Sequence, residues 1–522
     1  MPRFHAVIRI AAIAVAVLLL STPSFARQDA AASPPVTQSS GVYYEIFVRA
    51  FYDSKGDGTG DLNGITQKLD YIKSLGVSGI WLMPINPSPS YHGYDITDYE
   101  GINPQYGTMQ DFKKLVDEAH KRGIKVVIDM VINHSSDQHP WFKAAQDPKD
   151  PHHDWYVWAK PDSDLKAISA TGGPAWHRAP NGQYYLGVFT SAMPDLNYDN
   201  PAVRQAMIDV GKFWLNQGVD GFRLDAAQHI YDDLRSDMDS PVALARNIAW
   251  WTEYHHGLKA VNPHVWLVGE VARQNPDDLT AYMGPLNTVF DFPVATQLIE
   301  SVKQERNLGI GTGLEYSYAT YRIHADGHFD DAPFLSNHDQ ERVMSQLDGN
   351  AAHMRLAAAL LLTLPGHPFV YYGEELGMQG TKPDEDIREP MRWYRNGKGP
   401  GVASWKSWST DDGPEISVEA EEVDPDSLLN LYRKLIGWRQ QVSALRDGAL
   451  RNIPQADPHV LAYVLQDPHS RVLVVHNLSR EARTVALGAN THVASVLLQS
   501  KSGVVLAHGQ LNLPPYATAI LQ

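Results

Sequence analysis

Arg223 and Asp225 lie two residues apart in a segment, 219–225, whose pattern is typical of a β-strand ending in a turn. Side chains two apart on a strand point to the same face, so both are predicted to point inward at the strand's carboxyl end. A neighbouring cation lowers a carboxylate's pKa, and an ionised, oriented carboxylate is what the nucleophile of a glycosidase requires. The alternative is a structural salt bridge capping a buried strand.

Eight strand-like segments alternate with helical patterns, which predicts an α/β fold with a closed (β/α)8 TIM barrel. The predicted strands are 42–48, 79–83, 125–131, 219–224, 265–268, 289–292, 332–335 and 369–372. Thr108 and Asp111 form a predicted capping box at one helix start, and Asn200-Pro201 marks another. Gly76 is predicted to end the first long helix.

The alternation breaks in one internal segment and stops near the C-terminus. We predict barrel parts at 41–134 and 200–440, with an inserted lobe at 135–199 that is rich in Pro, Asp, His and Trp. Short strand-like segments at 472–475, 493–498 and 517–521 predict a C-terminal antiparallel β-sandwich over 441–522.

Residues 1–26 have the pattern of a secretory signal peptide. Arg3 and Arg9 supply the charged start, 10–20 is the apolar core, and 24–26 fits a small-x-small cleavage site. A membrane anchor is the alternative, but the apolar run is short for a spanning helix. We therefore expect a secreted protein, periplasmic or extracellular, with residues 27–40 as a disordered lead-in.

The overall composition limits the partners and the sources of stability. A net charge of −16 argues against nucleic acid, whose phosphates require a basic surface. No stretch after the signal segment is long and apolar enough to span a bilayer, and a monomer is expected. The chain has no cysteine, so secretion brings no disulfide framework.

Polar side chains stand where several predicted strands end. In a (β/α)8 barrel, function lies at the carboxyl ends of the strands. The groups predicted to meet there are Asp129, Asn133, His134, Arg223, Asp225, Glu270, Asn337, His338 and Asp339. A single strand-end aspartate is more often a cap, but the whole set in this register indicates an active site.

These segments resemble the four conserved regions of the α-amylase family, glycoside hydrolase family 13. The matching segments are 129–134, 221–225, Glu270 and 336–339. A fifth segment, 193–197 with the sequence MPDLN, resembles the group intermediate between oligo-1,6-glucosidases and neopullulanases. The resemblance covers residues 41–522.

The resemblance implies roles for three carboxylates. Asp225 would be the nucleophile that forms a covalent glycosyl-enzyme, and Glu270 the general acid and then base. Asp339 would bind sugar hydroxyls and stabilise the oxocarbenium-like transition state. Repulsion from its charge would also keep the pKa of Glu270 high enough for it to donate a proton.

The resemblance also implies a set of substrate contacts, of which Arg223 is one member. His134 and His338, as neutral imidazoles, would hydrogen-bond the same sugar, and Tyr94 would stack under its ring. Asp95 and Arg388 would grip the sugar's far hydroxyls. For Tyr94 the alternative is simple core packing.

Calcium is the cofactor that the resemblance implies. One site would use Asn133, Asp195 and the main-chain carbonyl of His229, and would tie the lobe to the barrel. A doubtful second site is the loop with Asp53, Asp57, Thr59 and Asp61, in which Lys55 stands where relatives have Asp or Asn. Either the Lys55 ammonium replaces the ion's charge, or it swings out and water fills the gap.

Two positions beside the nucleophile bear on specificity. Many amylases carry Lys-His where this chain has Gln228-His229, and glutamine brings no charge to the leaving-group side. Ala226 is the small residue seen in amylases, where relatives specific for α-1,6 bonds usually have valine.

The expected function is retaining hydrolysis of α-1,4-glucosidic bonds in starch-type glucans or maltooligosaccharides, by double displacement. The alternative within enzymes is an exo-acting α-glucosidase or transglucosylase on short α-glucosides. A scaffold protein on a dead barrel is a different class, but such proteins lack the triad that this chain keeps. A metal-dependent hydrolase is disfavoured because Arg223 would repel a catalytic cation.

Overall fold

The computed structural model describes residues 41–522 except 233, 235–239, 326–328, 411 and 488–492. The predicted signal segment 1–26 and lead-in 27–40 lie outside the described residues. The strands are β1 (Tyr43–Ile46), β2 (Gly79–Leu82), β3 (Lys125–Met130), β4 (Trp176–Arg178), β5 (Tyr184–Leu186), β6 (Gly221–Leu224), β7 (Trp266–Gly269), β8 (Thr288–Val289), β9 (Phe369–Tyr371), β10 (Ala449–Asn452), β11 (Val460–Gln466), β12 (Arg471–Asn477), β13 (Arg483–Ala486), β14 (Val496–Gln499), β15 (Val505–Ala507), β16 (Gln510–Leu513) and β17 (Thr518–Leu521).

Helices cover the outside of the barrel and link its strands. They are α1 (Val48–Phe51), α2 (Leu62–Leu75), α3 (Met109–Lys121), α4 (Pro140–Ala144), α5 (Pro201–Asn216), α6 (Pro241–Lys259), α7 (Pro276–Thr280), α8 (Phe292–Lys303), α9 (Ile310–His324), α10 (Val343–Gln346), α11 (Ala351–Leu362), α12 (Asp384–Ile387), α13 (Val418–Glu421), α14 (Leu428–Gln441) and α15 (Ala444–Asp447). None of the helices in the described chain is both long and apolar enough to cross a membrane.

The predicted helix ends are confirmed where the local chemistry is strong. Thr108 and Asp111 form the reciprocal capping box of α3, and the Asn200 side chain caps α5 with Pro201 in its first turn. Gly76 ends α2 in the left-handed conformation at φ 87°, which costs a glycine little because it has no Cβ.

Parallel strands form the barrel in the order β8-β7-β6-β3-β2-β1-β9. The predicted strand 332–335 is the exception, because only Ala332 pairs, with Phe290, and Pro333 has no N–H to offer a ladder. This segment still closes the ring: the Pro333 carbonyl accepts from the Phe369 N–H at 2.9 Å, and the Ala332 carbonyl accepts from the Asp291 N–H at 3.2 Å.

The barrel interior changes character from one layer of inward side chains to the next. Tyr43 and Val127 belong to a buried, mainly aromatic cluster inside the ring. Two residues further along the same strands, on the same face, stand the buried Glu45 and Asp129. In β6 the inward positions are Gly221, where a side chain would collide with Trp266, and then Arg223. The charged layer therefore rests on an apolar floor.

The inserted lobe follows β3 and contains the β4–β5 hairpin. Isolated bridges from His134 to Asp195 and from Tyr156 to Leu196 close the lobe on itself and on the end of β3.

The C-terminal part contains two antiparallel sheets, β10-β11-β12-β17-β14 and β13-β16-β15. Val460, Ala462 and Val464 of β11 share a core with Leu511 of the second sheet, while the alternate residue Leu461 packs into the main core. A sheet buried on both faces in this way forms the predicted β-sandwich. The predicted fold class is confirmed.

Candidate active site

The Arg223 guanidinium is the centre of the charged layer. Its Nη1 lies 2.8 Å from Asp129 Oδ1 and 2.6 Å from Asp225 Oδ1, and its Nη2 lies 2.7 Å from Glu270 Oε2. The Arg223 side chain is 1% exposed. Arg223 and Asp225 thus share one inward face, as predicted, and one buried cation fixes three carboxyl groups from three strand ends.

Burial and charge act in opposite directions on these carboxyl groups. Burial raises the pKa of Asp225 and of Glu270, and Arg223 opposes the rise at both. Burial likewise raises the pKa of Asp129 to about 7 against the influence of Arg223. The predicted lowering of the Asp225 pKa by Arg223 is wrong in its net direction, because desolvation is the larger influence.

The backbone after Asp225 turns sharply towards Glu270. Ala226 has φ 46°, a left-handed conformation that is uncommon for any residue with a side chain. In this conformation the Ala226 N–H donates to Glu270 Oε2 at 3.1 Å, and the Ala227 N–H donates to the Glu270 carbonyl at 2.9 Å. The turn therefore couples the position of one candidate catalytic carboxylate to the other.

Asp339 faces the open side of the mouth, with its side chain 45% exposed. Its Oδ1 lies 2.6 Å from Arg388 Nη2, and its Oδ2 lies 3.2 Å from His338 Nε2. Burial opposes ionisation, but His338 and Arg388 hold the pKa of Asp339 well below its usual range. Asp339 is therefore an ionised, accessible carboxylate.

The two histidines differ from each other, and one differs from the prediction. Burial lowers the pKa of His134 to about 4, so this imidazole is neutral as expected. Burial also acts to lower the pKa of His338, but Asp339 and Glu45 overcome it and raise the pKa to about 10. The expectation of a neutral His338 is wrong, because two carboxylates contact its ring.

Tyr94 lies in the mouth and is partly buried. Its hydroxyl donates to Asp129 Oδ2 at 3.1 Å and lies 2.5 Å from His338 Nε2. Its ring stacks on the His338 ring with centroids 5.5 Å apart and an interplanar angle of 10°. The Tyr94 hydroxyl is thus hydrogen-bonded to the charged layer. A tyrosine that served only in core packing would not need these bonds.

Asp95 and Arg388 are held by separate partners rather than by each other. Asp95 Oδ1 accepts hydrogen bonds from the Ser88 hydroxyl, at 2.5 Å, and from the Ser90 hydroxyl. Besides Asp339, Arg388 contacts Asp384 Oδ2 at 3.2 Å.

Comparison with known proteins places this geometry in a family. The description "Alpha amylase, catalytic domain" matches residues 45–448, and "Alpha-amylase SusG C-terminal domain" matches residues 460–520. The chain belongs to the α-amylase catalytic-domain family. It is therefore a glycoside hydrolase of α-amylase type.

Several relatives of this α-amylase-family enzyme are similar over most of its length. It is 42% identical to "Alpha-amylase 3" of Dictyoglomus thermophilum, over 92% of this chain and 93% of that protein. It is 33% identical to "Probable oligo-1,6-glucosidase 2" of Bacillus subtilis, over 84% and 90%. Among solved structures, the α-amylase from H. orenii superposes with a TM-score of 0.85 at 44% identity, covering 93% of this chain and 99% of that one.

Two of the three predicted calcium ligands at the lobe contact each other in the enzyme. The Asn133 amide contacts the His229 carbonyl oxygen. Asp195 is buried, with Oδ1 accepting from the Val188 N–H at 3.2 Å. Burial and the nearby charge of Asp232 raise the pKa of Asp195 well above its usual value, so these two carboxyl groups influence each other electrostatically.

The second candidate loop is organised by its own backbone. Asp53 accepts from the N–H groups of Lys55, Gly56 and Gly58 at 3.0, 2.7 and 2.7 Å, and Asp61 caps α2. Among the described residues, no group of three or more His, Asp or Glu side chains is arranged to hold a metal ion.

The Lys55 ammonium points away from the loop carboxylates. Its Nζ donates to the Gln105 carbonyl at 3.0 Å, and it forms no ion pair within the described chain. The expectation that this ammonium stands in for a calcium ion among Asp53, Asp57 and Asp61 is therefore wrong. The backbone amides already supply the donors that those carboxylates require.

Gln228 contacts the ring of the neighbouring His229. It is buried, and its Nε2 donates to His229 Nε2 at 2.9 Å, while His229 Nδ1 lies 2.7 Å from Asp232 Oδ1. Gln228 thereby fixes the imidazole orientation.

Three residues of the site were not predicted from the sequence: Glu45, Asp232 and Asp384. Glu45 had a readable signal, because it is the one charged residue in the apolar run 42–48, and a buried charge there must meet a partner. Asp232 and Asp384 lie in loops or short helices, where no periodicity indicates direction.

Proposed function

We propose that this enzyme is a secreted, retaining hydrolase that cleaves α-1,4-glucosidic bonds of starch-type glucans or maltooligosaccharides. The observation that carries the proposal is the single guanidinium, Arg223, that holds Asp225 by one nitrogen and Glu270 by the other. The names of the relatives support an α-glucan substrate. Secretion rests on the predicted signal segment 1–26.

Asp225 is the proposed nucleophile. It attacks the anomeric carbon, and the bond to the leaving oxygen breaks, which leaves a covalent glycosyl-enzyme. Retaining enzymes place their carboxyl groups about 5–5.5 Å apart, and inverting ones about 6.5–9.5 Å. Sharing one guanidinium favours the shorter separation and hence double displacement.

Glu270 is the proposed acid and base. Its raised pKa, caused by burial and by the negative charges of Asp225 and Asp339, lets it hold the proton that the leaving oxygen takes. Once the glycosyl-enzyme has formed, Glu270 accepts a proton from the water that attacks it.

Asp339 and Arg388 are proposed to bind the glucose unit at the mouth. An ionised carboxylate accepts hydrogen bonds from sugar hydroxyls, and its charge favours the oxocarbenium-like transition state. Arg388, at 2.6 Å from Asp339, keeps that carboxylate oriented before the sugar arrives.

The stereochemistry of the first product tests this mechanism. Proton NMR of fresh digests of maltooligosaccharide is expected to show α-anomers first, because two inversions restore the configuration. Initial accumulation of β-anomers would show that Asp225 and Glu270 do not act as nucleophile and acid.

An exo-acting α-glucosidase or transglucosylase on short α-glucosides is the second candidate. It is favoured by relatives named oligo-1,6-glucosidase, and by "Trehalose synthase/amylase TreS" of Mycobacterium tuberculosis at 34% identity over 88% of this chain and 85% of that protein. A long maltooligosaccharide blocked at its non-reducing end separates the two candidates. Cleavage of the blocked substrate supports the endo-acting amylase, whereas turnover of short maltosides only supports the alternative.

Calcium is the cofactor we propose, held by Asn133, Asp195 and the His229 carbonyl. His134 donates from Nε2 to the Tyr94 carbonyl at 3.1 Å, so the neutral ring has a bare Nδ1, 3.0 Å from Asn133. That atom needs the amide nitrogen of Asn133 as a donor. The amide oxygen then faces the His229 carbonyl, and two oxygens in contact fit a cation.

Asp232 completes this oxygen set in the proposal. Its Oδ2 is buried and has no hydrogen-bond partner among the described residues, and a calcium ion would satisfy it together with Asp195. When bound, the ion would neutralise both carboxylates and tie the lobe to the barrel.

Melting temperatures test the calcium proposal. Excess EDTA is expected to lower the melting temperature of the parent, because a ligand of the native state at a hundred times its Kd adds about 2.7 kcal/mol. Asp195→Asn should show a smaller response to EDTA than the parent. An unchanged parent with no calcium by metal analysis would remove the proposal.

A further inference from the structure

A buried chain of hydrogen bonds runs from β1 to the mouth. Glu45 Oε1 lies 2.6 Å from His338 Nδ1, and the two side chains are 2% and 0% exposed. On the other side of the imidazole, Nε2 lies 2.5 Å from the Tyr94 hydroxyl and 3.2 Å from Asp339 Oδ2. The His338 ring thus lies between Glu45 and the substrate-facing groups Tyr94 and Asp339.

With Asp129 as the carboxylate that accepts from Arg223, the hydrogens along this chain favour one state of the imidazole. Tyr94 has one hydroxyl hydrogen, and it donates that hydrogen to Asp129 Oδ2 at 3.1 Å. Its oxygen must then accept from His338 Nε2–H. Glu45, as a carboxylate, accepts from Nδ1–H. Both ring nitrogens carry hydrogen, so His338 is an imidazolium.

We propose that Glu45 is a positioning residue, which holds the His338 imidazolium so that it aligns Tyr94 and Asp339 for the glucose unit at the mouth. The inference rests on the proposed function, since it assigns a role within that same site. It explains why a full charge is buried in β1, where desolvation is costly unless a partner of opposite charge is in contact.

The surroundings of His338 contain charges of both signs. Trp81 lies edge-on to its ring at 5.5 Å, Asp339 is its second carboxylate, and Arg388 donates to its carbonyl at 2.8 Å. The negative charge of Glu45 also acts on Tyr371 of β9. Asp129, Asp225, Glu270 and Arg223 complete the charged groups of the layer. The pKa of His338 near 10 agrees with the imidazolium that the hydrogen count favours.

Loss of the imidazolium proton would change the site in a defined way. The Tyr94 hydrogen would turn to the bare Nε2 and leave Asp129, and Asp339 would lose its donor from His338. Both changes misdirect groups at the place where the sugar binds. Activity that depends on Glu45 should therefore depend on pH.

Glu45→Gln tests the proposal, because glutamine keeps the size and an acceptor oxygen but removes the charge. We expect kcat/KM on 4-nitrophenyl α-maltoside, relative to the parent, to fall about tenfold at pH 8 and much less at pH 5, because loss of the Glu45 charge lowers the pKa of His338. The matched control is Glu421→Gln, the same change at a buried glutamate outside the mouth, with an expected profile parallel to the parent's. A loss by the same factor at every pH, or no loss, overturns the proposal.

NMR of histidine labelled with ¹⁵N supplies a measurement that does not depend on turnover. The His338 signal is assigned by its absence in His338→Gln. In the parent it should be that of an imidazolium through pH 8, and in Glu45→Gln it should titrate at least one pH unit lower. A neutral His338 in the parent at pH 7 overturns the inference even if Glu45→Gln does not fold. A parent that does not hydrolyse maltooligosaccharides instead overturns the proposed function and leaves the NMR outcome to decide on Glu45.

Discussion

Two sets of three buried carboxyl groups in the enzyme have different kinds of partner. In the mouth, Asp129, Asp225 and Glu270 all contact Arg223. In the second region, which we name the inner acid cluster, Glu374, Glu375 and Glu421 form no ion pair with any described residue. Tyrosine hydroxyls donate to Glu374 and Glu375 at 2.6–2.7 Å, and the Leu429 N–H donates to Glu421 at 2.9 Å.

The difference lies in what opposes desolvation. In the inner acid cluster, burial raises the pKa of Glu374 and of Glu421 to about 8, so these groups carry protons near neutral pH. In the mouth, Arg223 opposes the same effect of burial and favours the ionised form. A neutral hydroxyl donor is therefore sufficient for structure, whereas a nucleophilic carboxylate requires a fixed cation.

The largest expected effect is a loss of turnover, and it concerns the mouth. Asp225→Asn should reduce turnover more than about 100-fold, because an amide cannot attack the anomeric carbon. The melting temperature should change little, since the amide can still accept from Arg223. Hydrolysis of maltotriose and thermal unfolding check both expectations. Residual activity above about one per cent of the parent, in a clean preparation, would show that the nucleophile is misassigned.

The inner acid cluster should respond in stability rather than in turnover. The folded-state pKa of Glu421, about 8, lies above the ordinary value for glutamate. The stability contributed by its protonated form is thus fully present below about pH 4.3 and is lost as the pH rises through about 8. Glu421→Gln escapes that loss. Between pH 5 and pH 8.5, the free energy of unfolding of the variant should therefore rise relative to that of the parent by on the order of 2–4 kcal/mol.

Chemical denaturation of parent and variant at pH 5, 7 and 8.5 measures this difference. Turnover at pH 7 should be the parent's, because Glu421 contacts no residue of the mouth. A constant difference in the free energy of unfolding across these pH values would contradict a raised pKa at Glu421.

Glu305 sharpens the comparison, because it has cationic partners but lies outside the mouth. It joins the barrel to the C-terminal sandwich through Arg480 Nη2 at 3.1 Å and the Tyr516 hydroxyl at 2.7 Å. Burial acts to raise its pKa, but these partners and His353 lower it to about 2. The stability this carboxylate contributes is present above about pH 4.3 and lost as the pH falls towards 2.

Glu305→Gln should therefore cost about 1–2 kcal/mol at pH 7 and progressively less below pH 4, the opposite trend to Glu421→Gln. The control is Glu481→Gln, whose side chain is 71% exposed in its pair with Arg483 and should change stability by less than about 0.5 kcal/mol. Equal costs for the two variants would show that the junction does not depend on Glu305.

The sequence predicted the fold wherever local patterns agreed with the final packing. Capped helices and apolar strands could be placed because their periodicity follows burial. The segment 332–335 is apolar enough for a strand, but Pro333 limits its pairing, and only Ala332 bridges to its neighbour. Ring closure there depends on hydrogen bonds between segments distant in sequence.

Most members of the site were predicted, but the charge state of His338 and the direction of the pKa shift at Asp225 were not. Asp225, Glu270 and Asp339 meet because strand ends in a parallel barrel share one edge. The pKa of His338 depends on Glu45, 293 residues away, and no pairwise spacing along the chain indicates that contact. The partners of Asp95 and Arg388 likewise depend on the loops around the mouth.

The smallest expected effect concerns the loop around Asp53, which satisfies carboxylates in a third way. Neither a cation nor a tyrosine is used there: backbone N–H groups of the loop donate to Asp53 and Asp57, and the Ser54 hydroxyl donates to Asp61 Oδ1 at 2.7 Å. Within the described part of the chain, Lys55 contributes an exposed hydrogen bond to the Gln105 carbonyl. Lys55→Ala should therefore change the free energy of unfolding by less than about 0.5 kcal/mol, with or without calcium.

Urea denaturation of parent and variant in both buffers measures this difference. Asp53→Asn is the contrasting variant, because it weakens acceptance from the N–H groups of Gly56 and Gly58. A loss above about 1 kcal/mol for Lys55→Ala in calcium-free buffer would show that the loop carboxylates need a cation. Their stability would then depend on a positive charge, as that of the carboxylates in the mouth does, and not on backbone N–H groups alone.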